Sequence, residues 1–161
     1  MWLKDSLPRQ ELQNLLTKLI ERVPVFAGFD QVELLELLNG AEKKVFRAGE
    51  QIIREGNTGN FMYVVIDGEA RVTKRGDHHK SHELGVFGSG GCFGEMSLVD
   101  HAPRSATVEA TRDCVLIRIR ESDCWRNTKV GSKIFRNIAG ILAQRLRELH
   151  GVVLDSANSP P

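Results

Sequence analysis

Cysteine is scarce in this chain. Only Cys92, Cys114 and Cys124 occur in 161 residues, an odd number with no close pair. That excludes a disulfide scaffold and points to free thiols in a reducing, cytoplasmic setting. Long apolar runs are missing too. The longest strongly apolar stretch, Phe61 to Ile66, falls far short of a membrane span. The opening Met1-Trp2-Leu3-Lys4-Asp5 places an acid where a secretory signal has apolar residues. Charge of one sign is absent: 22 basic residues against 21 acidic leave a net +1. Such balance argues against broad electrostatic capture of nucleic acid or an anionic membrane. There is no Gly-x-x-x-x-Gly-Lys-Ser/Thr loop for a triphosphate and no His-x-His pair. The three cysteines are too scattered for an iron–sulfur cluster.

What is present reads as helix, then many short strands, then helix. The length suits one domain with a core that needs no staple. Leu12, Leu15, Leu16, Leu19 and Val23 recur at helical spacing, with Pro8 suited to a first turn and Pro24 ending the run. Asp30 and Glu33 form a capping-box pattern ahead of a second helix at about 31–38, with Asn39-Gly40 as its stop. From Lys43 to Ile119 the period changes to two. Asp67-Gly68 carries a hairpin signal, Arg75-Gly76-Asp77 turns again, and 106–110 with 114–119 read as a last strand pair. Turns every 8–12 residues predict an all-β sandwich or barrel. Ile134, Ile138, Ile141, Leu142 and Leu149 then share one helical stripe, entered at Gly131-Ser132. The expected organisation is a helical segment 1–40, a β core 41–120, C-terminal helices 121–150 and a frayed tail 151–161.

One constellation carries chemistry: Gly91-Cys92-Phe93-Gly94-Glu95-Met96-Ser97-Leu98, then Pro103-Arg104-Ser105-Ala106-Thr107-Val108. A glycine-ended approach leads into a segment long enough for one helical turn, whose first amides favour an anion. Arg104, fixed between a proline and a strand, presents a planar fork suited to phosphate oxygens. Glu95 lies beside the same glycine, placed to accept from a sugar hydroxyl. One arginine and a few amides match a single negative charge, which points to a nucleotide phosphodiester.

These residues resemble the cyclic nucleotide-binding domain family, the regulatory module of catabolite activator proteins, cyclic-nucleotide-dependent kinases and cyclic-nucleotide-gated channels. The resemblance covers roughly Val23 to His150. Upstream, Ala48-Gly49-Glu50-Gln51-Ile52-Ile53, Glu55-Gly56-Asn57-Thr58-Gly59-Asn60-Phe61-Met62-Tyr63 and Gly68-Glu69-Ala70-Arg71-Val72 resemble the family's glycine-punctuated roll. It implies a mainly β fold with flanking helices: an eight-stranded, jelly-roll-like β-roll with N-terminal helices and a C-terminal lid or dimer helix at about 132–150. It also implies that Arg104 binds the cyclic phosphate and that Glu95 accepts the ribose 2′-hydroxyl. Gly94 and amides near Met96, Ser97 and Ser105 would complete the cradle, with Val72, Leu149 and His150 near the base. The family's cyclic GMP-preferring members often carry threonine at the Ser105 position, so serine leans to cyclic AMP.

The expected function is a non-enzymatic cytoplasmic sensor with cyclic AMP or cyclic GMP as ligand, no cofactor and no metal. Its output would pass through the last helix to a second protomer or a separate effector. Eleven residues after His150 leave no room for a DNA-reading helix-turn-helix, so neither direct DNA binding nor membrane insertion is expected. Two alternatives stand beside it: an interaction module needing no nucleotide, and a metal-dependent β-roll enzyme. No nucleophile–base pair is recognisable for the enzyme. His78, His79 and His82 fall in a polar hairpin loop and read as solvated. Trp125 reads as a helix-packing anchor. Arg145, on the last helix, is placed to pair with Glu95 and so to tie nucleotide occupancy to helix position.

Overall fold

A computed structural model describes residues 8–76 and 80–157; His78 and His79 lie outside them. The first helix, α1 (Arg9–Arg22), starts directly after Pro8 and ends at Val23, which is extended as a residue before proline must be. Its Leu16 and Leu19 are buried. After a single tight turn, Pro24–Phe26, comes α2 (Gln31–Leu38). The capping box is present there: Glu33 N donates to Asp30 Oδ1 at 2.8 Å and Asp30 N to Glu33 Oε2 at 2.9 Å.

Eight strands follow among the described residues: β1 (Glu42–Phe46), β2 (Gln51–Ile53), β3 (Phe61–Asp67), β4 (Glu69–Arg75), β5 (Ser81–Gly88), β6 (Cys92–Phe93), β7 (Thr107–Ala110) and β8 (Cys114–Arg120). They form two antiparallel four-stranded sheets, ordered β1-β8-β3-β6 and β2-β7-β4-β5. A short helix, α3 (Met96–Asp100), interrupts the passage from β6 to β7. The fold is therefore mainly β with flanking helices, in the roll that the sequence leads one to expect.

Two local readings are corrected by the topology. β3 and β4 do not form a hairpin at Asp67-Gly68, and β7 does not pair with β8. At both corners the chain crosses from one sheet to the other. The two corners also touch. Gly68 has φ +94°, and an added Cβ would lie 2.1 Å from the Asp113 carbonyl oxygen. A glycine with positive φ serves a sheet-to-sheet corner as well as a tight hairpin, and local sequence does not distinguish them. Only β4 and β5 are consecutive strands paired with each other, from Glu69 opposite Gly88 to Arg75 opposite Ser81.

There are two cores. Ile53, Tyr63, Val65, Val72, Phe93, Val108 and Leu116 fill the space between the sheets. Met62, Val64, Ile117 and Ile119 point the other way, into a second core built with the helices. β3 and β8 are thus buried on both faces, which is why they read as nearly continuous apolar runs rather than alternating ones. Leu98 of α3 belongs to the helix-side core, together with Ile134 and Ile138.

The chain ends in α4 (Glu121–Cys124) and the 30-residue α5 (Thr128–Ala157). Gly131-Ser132 lies inside α5, not at its entry. Helical backbone runs to Ala157, well past the point at which a frayed tail is expected. The first part of α5 is anchored: Val130, Ile134 and Ile138 are buried, Lys133 Nζ donates to Glu33 Oε2 at 2.6 Å, and Asn137 Nδ2 donates to Val25 O and Ala27 O. Trp125 stacks on Phe135, ring centroids 4.9 Å apart. No helix among the described residues is long and apolar enough to cross a membrane.

The corner packing gives a direct test. Gly49 also has positive φ, but an added Cβ there meets nothing within 4 Å. Gly49→Ala is expected to cost about 1–2 kcal/mol in chemical denaturation, from backbone strain alone. Gly68→Ala must add the clash and cost clearly more. Equal losses would remove the corner-to-corner account.

Candidate functional site

The sequence separates Gly94 from Arg104 by ten residues, and the fold closes that gap. β6 delivers the chain to Gly94, whose φ of +77° turns it into α3. The backbone of Arg104 is pinned from the other side: its N–H donates to Asn57 O at 2.8 Å, and Gly56 N–H donates to its carbonyl at 2.9 Å. From there the guanidinium reaches back. Nη1 donates to Gly94 O at 2.7 Å and to Ser97 Oγ at 2.9 Å, while Nη2 donates to Phe61 O at 2.7 Å. Its central carbon lies 4.4 Å from the centre of the Phe61 ring.

Arg104 is only 4% exposed, and Glu95, next to the same glycine, only 2%. Their electrostatics differ. Every acceptor bonded to Arg104 is a neutral oxygen, and among the described residues no carboxylate pairs with it. Burial pushes its pKa down from the usual arginine value, against the fields of Tyr63 and Glu95. Glu95 does have a cation. Arg145, on α5, pairs with Glu95 Oε1 through Nη1, donates through Nη2 to Cys92 O at 2.7 Å, and stacks 4.7 Å above the Phe87 ring. Burial pushes the Glu95 carboxyl above its usual range, and the Arg145 and Arg104 charges pull it back. Two guanidiniums against one carboxylate leave one positive charge over. A monoanion would balance it.

Gly94, Glu95, Ser97 and Arg104 are therefore brought together as the sequence predicts. Met96 and Ser105 sit at the rim, half-exposed and exposed, with Ser105 Oγ 3.6 Å from Met96 Sδ. Val72 is buried between the sheets. Leu149 is 59% exposed and His150 is also exposed, one turn beyond the Arg145 contact. The Arg145–Glu95 pair is present as the sequence argument proposes. Phe61, Phe87 and Gly59 shape the surroundings of the two arginines; Gly59 and Phe61 lie in the segment that resembles the family's roll, but nothing in the sequence assigns any of the three a role at the site. An open hollow of about 430 Å³, lined by Thr58, Gly59, Asn60, Phe61, Ser97 and His101, adjoins the Arg104 contacts.

The Cys92 and Cys124 thiols are pushed up to about 12 by burial, with no fraction to spare as thiolate nucleophiles near neutrality. Among the described residues no three His, Cys, Asp or Glu side chains converge as metal ligands would.

Residues 43–126 match the family model described as the cyclic nucleotide-binding domain. The cyclic AMP receptor protein of Thermus thermophilus is 30% identical over 125 residues, covering 78% of this chain and 58% of that protein. The cAMP-dependent protein kinase regulatory subunit of Dictyostelium discoideum is 28% identical over 152 residues, covering 92% and 43%. The chain thus spans about half the length of these relatives. Among solved structures, the catabolite activator protein of Thermus thermophilus superposes with a TM-score of 0.74 at 30% identity, covering 83% of this chain and 62% of that one.

The buried pair predicts a pH signature. A carboxyl raised by burial stabilises the fold least when ionised, so its contribution is lost as pH rises through its folded-state value. Arg145→Gln removes the cation that offsets this cost. Its thermal midpoint should fall below the parent's at about pH 8, and the gap should narrow on acidifying to about pH 5, as Glu95 takes up a proton. A gap that stays constant with pH would mean that Glu95 does not feel Arg145.

Proposed function

The chain belongs to the cyclic nucleotide-binding domain family, and from that premise we propose that it is a non-enzymatic sensor of cyclic AMP, with cyclic GMP the second candidate. One observation carries the reading: a deeply buried Arg104 whose hydrogen-bond partners are all neutral. A buried guanidinium without a counter-charge is costly, and a phosphodiester removes that cost on binding. In this reading Arg104 takes the cyclic phosphate. Gly94 and the amides of Met96, Ser97 and Ser105 complete the cradle. Glu95 accepts the ribose 2′-hydroxyl, and Val72 lies toward the base, with Leu149 and His150 reaching it only after α5 moves. The ligand acts alone, with no cofactor.

The signal follows from competition at Glu95. The sugar hydroxyl and Arg145 seek the same carboxylate, so the nucleotide favours the arrangement in which Arg145 has let go. A ligand shifts such an equilibrium only by its differential affinity for the two states. The output leaves through α5, to a second copy or a separate effector. The stripe Leu142, Leu146, Leu149, spaced four and three residues apart and exposed at its last two positions, supports a second copy packed along this helix.

Titration calorimetry tests the ligand. Heat is expected with cyclic AMP or cyclic GMP, and Arg104→Ala should lose about 2–5 kcal/mol of binding free energy. A second reading, an interaction module that needs no nucleotide, draws on the Arg145–Glu95 pair already being made. Silence with both nucleotides at about 1 mM, and no thermal shift, would establish it over the sensor. Sedimentation velocity tests the copy: a dimer is expected, with Leu146→Glu and Leu149→Glu giving monomers. A monomeric parent would leave the separate effector as the route.

A further inference from the structure

Two neighbours of Arg104 lie outside the 91–98 and 103–108 stretches that carry the site reading. Phe61 opens β3 and meets the guanidinium twice, through its carbonyl at 2.7 Å from Nη2 and through its ring at 4.4 Å from the central carbon. A second guanidinium, Arg118, lies 5.2 Å from the same ring. The two arginines at this ring are not equivalent. Arg118 Nη2 donates to both carboxylate oxygens of Glu42 at 2.8 Å, so it has a direct anionic partner, one that Lys44 also contacts. Arg104 has only the ring and the three neutral oxygens.

Gly59 bounds the guanidinium elsewhere. A Cβ added there would lie 2.5 Å from Arg104 Nη2 and 2.9 Å from Nε. Those two nitrogens form one edge of the fork. An arginine has five N–H donors, and three hydrogen bonds to protein are made here, none of them from Nε. The missing side chain lets the fork lie close against the glycine backbone, and the same glycine, Phe61 and Ser97 line the adjoining hollow.

We propose that Phe61 is a positioning residue for the anion site: its ring and carbonyl hold the Arg104 guanidinium in one plane beside Gly59, with Nε, which makes no hydrogen bond to protein, kept for an anionic oxygen. The proposal deepens the sensor reading and rests on it for the identity of the anion. Electrostatic attraction between the ring face and the cation compensates part of the lost hydration without neutralising the charge. A carboxylate in the same place would neutralise Arg104 and compete with the ligand. An aromatic ring does neither.

The experiment compares the parent with Phe61→Leu, Phe61→Tyr and Gly59→Ala. With cyclic AMP as the probe in calorimetry, Phe61→Leu should bind about three- to thirtyfold more weakly, the range for a partly desolvated cation over a ring. Phe61→Tyr keeps the ring and should bind like the parent. Gly59→Ala, whose Cβ would push the fork out of place, should weaken binding as well, and Phe61→Met supplies the ring-free comparison where Phe61→Leu does not fold. Leucine and tyrosine variants that weaken binding alike, or a leucine variant that binds like the parent, would overturn the role. The nitrogen–proton spectrum of the free protein supplies an independent readout. The Arg104 Nε–H resonance should carry a ring-current shift that Phe61→Tyr keeps and Phe61→Leu, or Phe61→Met should leucine not fold, abolishes. If the parent binds no cyclic nucleotide, the sensor reading falls, while an Arg104 resonance unmoved by loss of the ring would sink the positioning role on its own.

Discussion

A guanidinium buried without a carboxylate is the constraint around which this molecule is arranged. Desolvating it is unfavourable, and the protein answers with dipoles and a ring rather than with a charge. That answer dictates identities in three separated segments. Gly94 and Ser97 supply oxygens from the α3 approach, Phe61 supplies an oxygen and a ring from β3, and the turn at Gly56 and Asn57 pins the arginine backbone. Glycines at 59 and 94 are needed because the guanidinium passes within 3 Å of where their side chains would begin. A carboxylate at any of these points would pair with the guanidinium and remove the uncompensated charge.

The second arginine shows the complementary arrangement. α5 has two regions with different attachments. As far as Ile138 it is fixed by buried apolar residues and by Lys133 and Asn137. Beyond that, Ile141 and Leu142 pack along the edge of the helix-side core, and Arg145 grips the roll through Glu95, the Cys92 carbonyl and the Phe87 ring. The Arg145 contacts are polar and are made at the site itself. Leu98, in α3, packs in the same core as the anchored part of the helix. The segment from Gly94 to Leu98 is thus linked to α5 by apolar packing near the root of the helix and by charge farther along.

How much of this was legible beforehand depends on range. The capping box at Asp30 and Glu33, the helix stop at Pro24 and the double-sided burial of Phe61 to Ile66 are local patterns, and the sequence carries them. The pairing of Arg145 with Glu95 is distant, but helical spacing and the family frame were enough to place it. The hairpin expected at Asp67-Gly68 failed because a glycine corner records the turn and not the partner strand. The end of α5 failed because Gly151 is a weak breaker in a helix already 23 residues long. The roles of Phe61 and Gly59 were invisible because they exist only once β3 and the β2–β3 turn lie beside Arg104. Ring faces and missing side chains leave no mark in a period-two pattern.

The winding of the roll has a consequence of its own. β1 pairs with β8, setting Glu42 beside Arg118, and six of the seven steps between consecutive strands change sheets. Contacts of such long sequence separation form slowly, because loop-closure entropy must be met before any reward. Phe61, Gly94 and Arg104 come from three different turns of that winding. The cluster around Arg104 therefore depends on the closed roll, and a nascent chain broken off before β8 would hold Phe61, Gly94 and Arg104 without the strand against which β3 pairs.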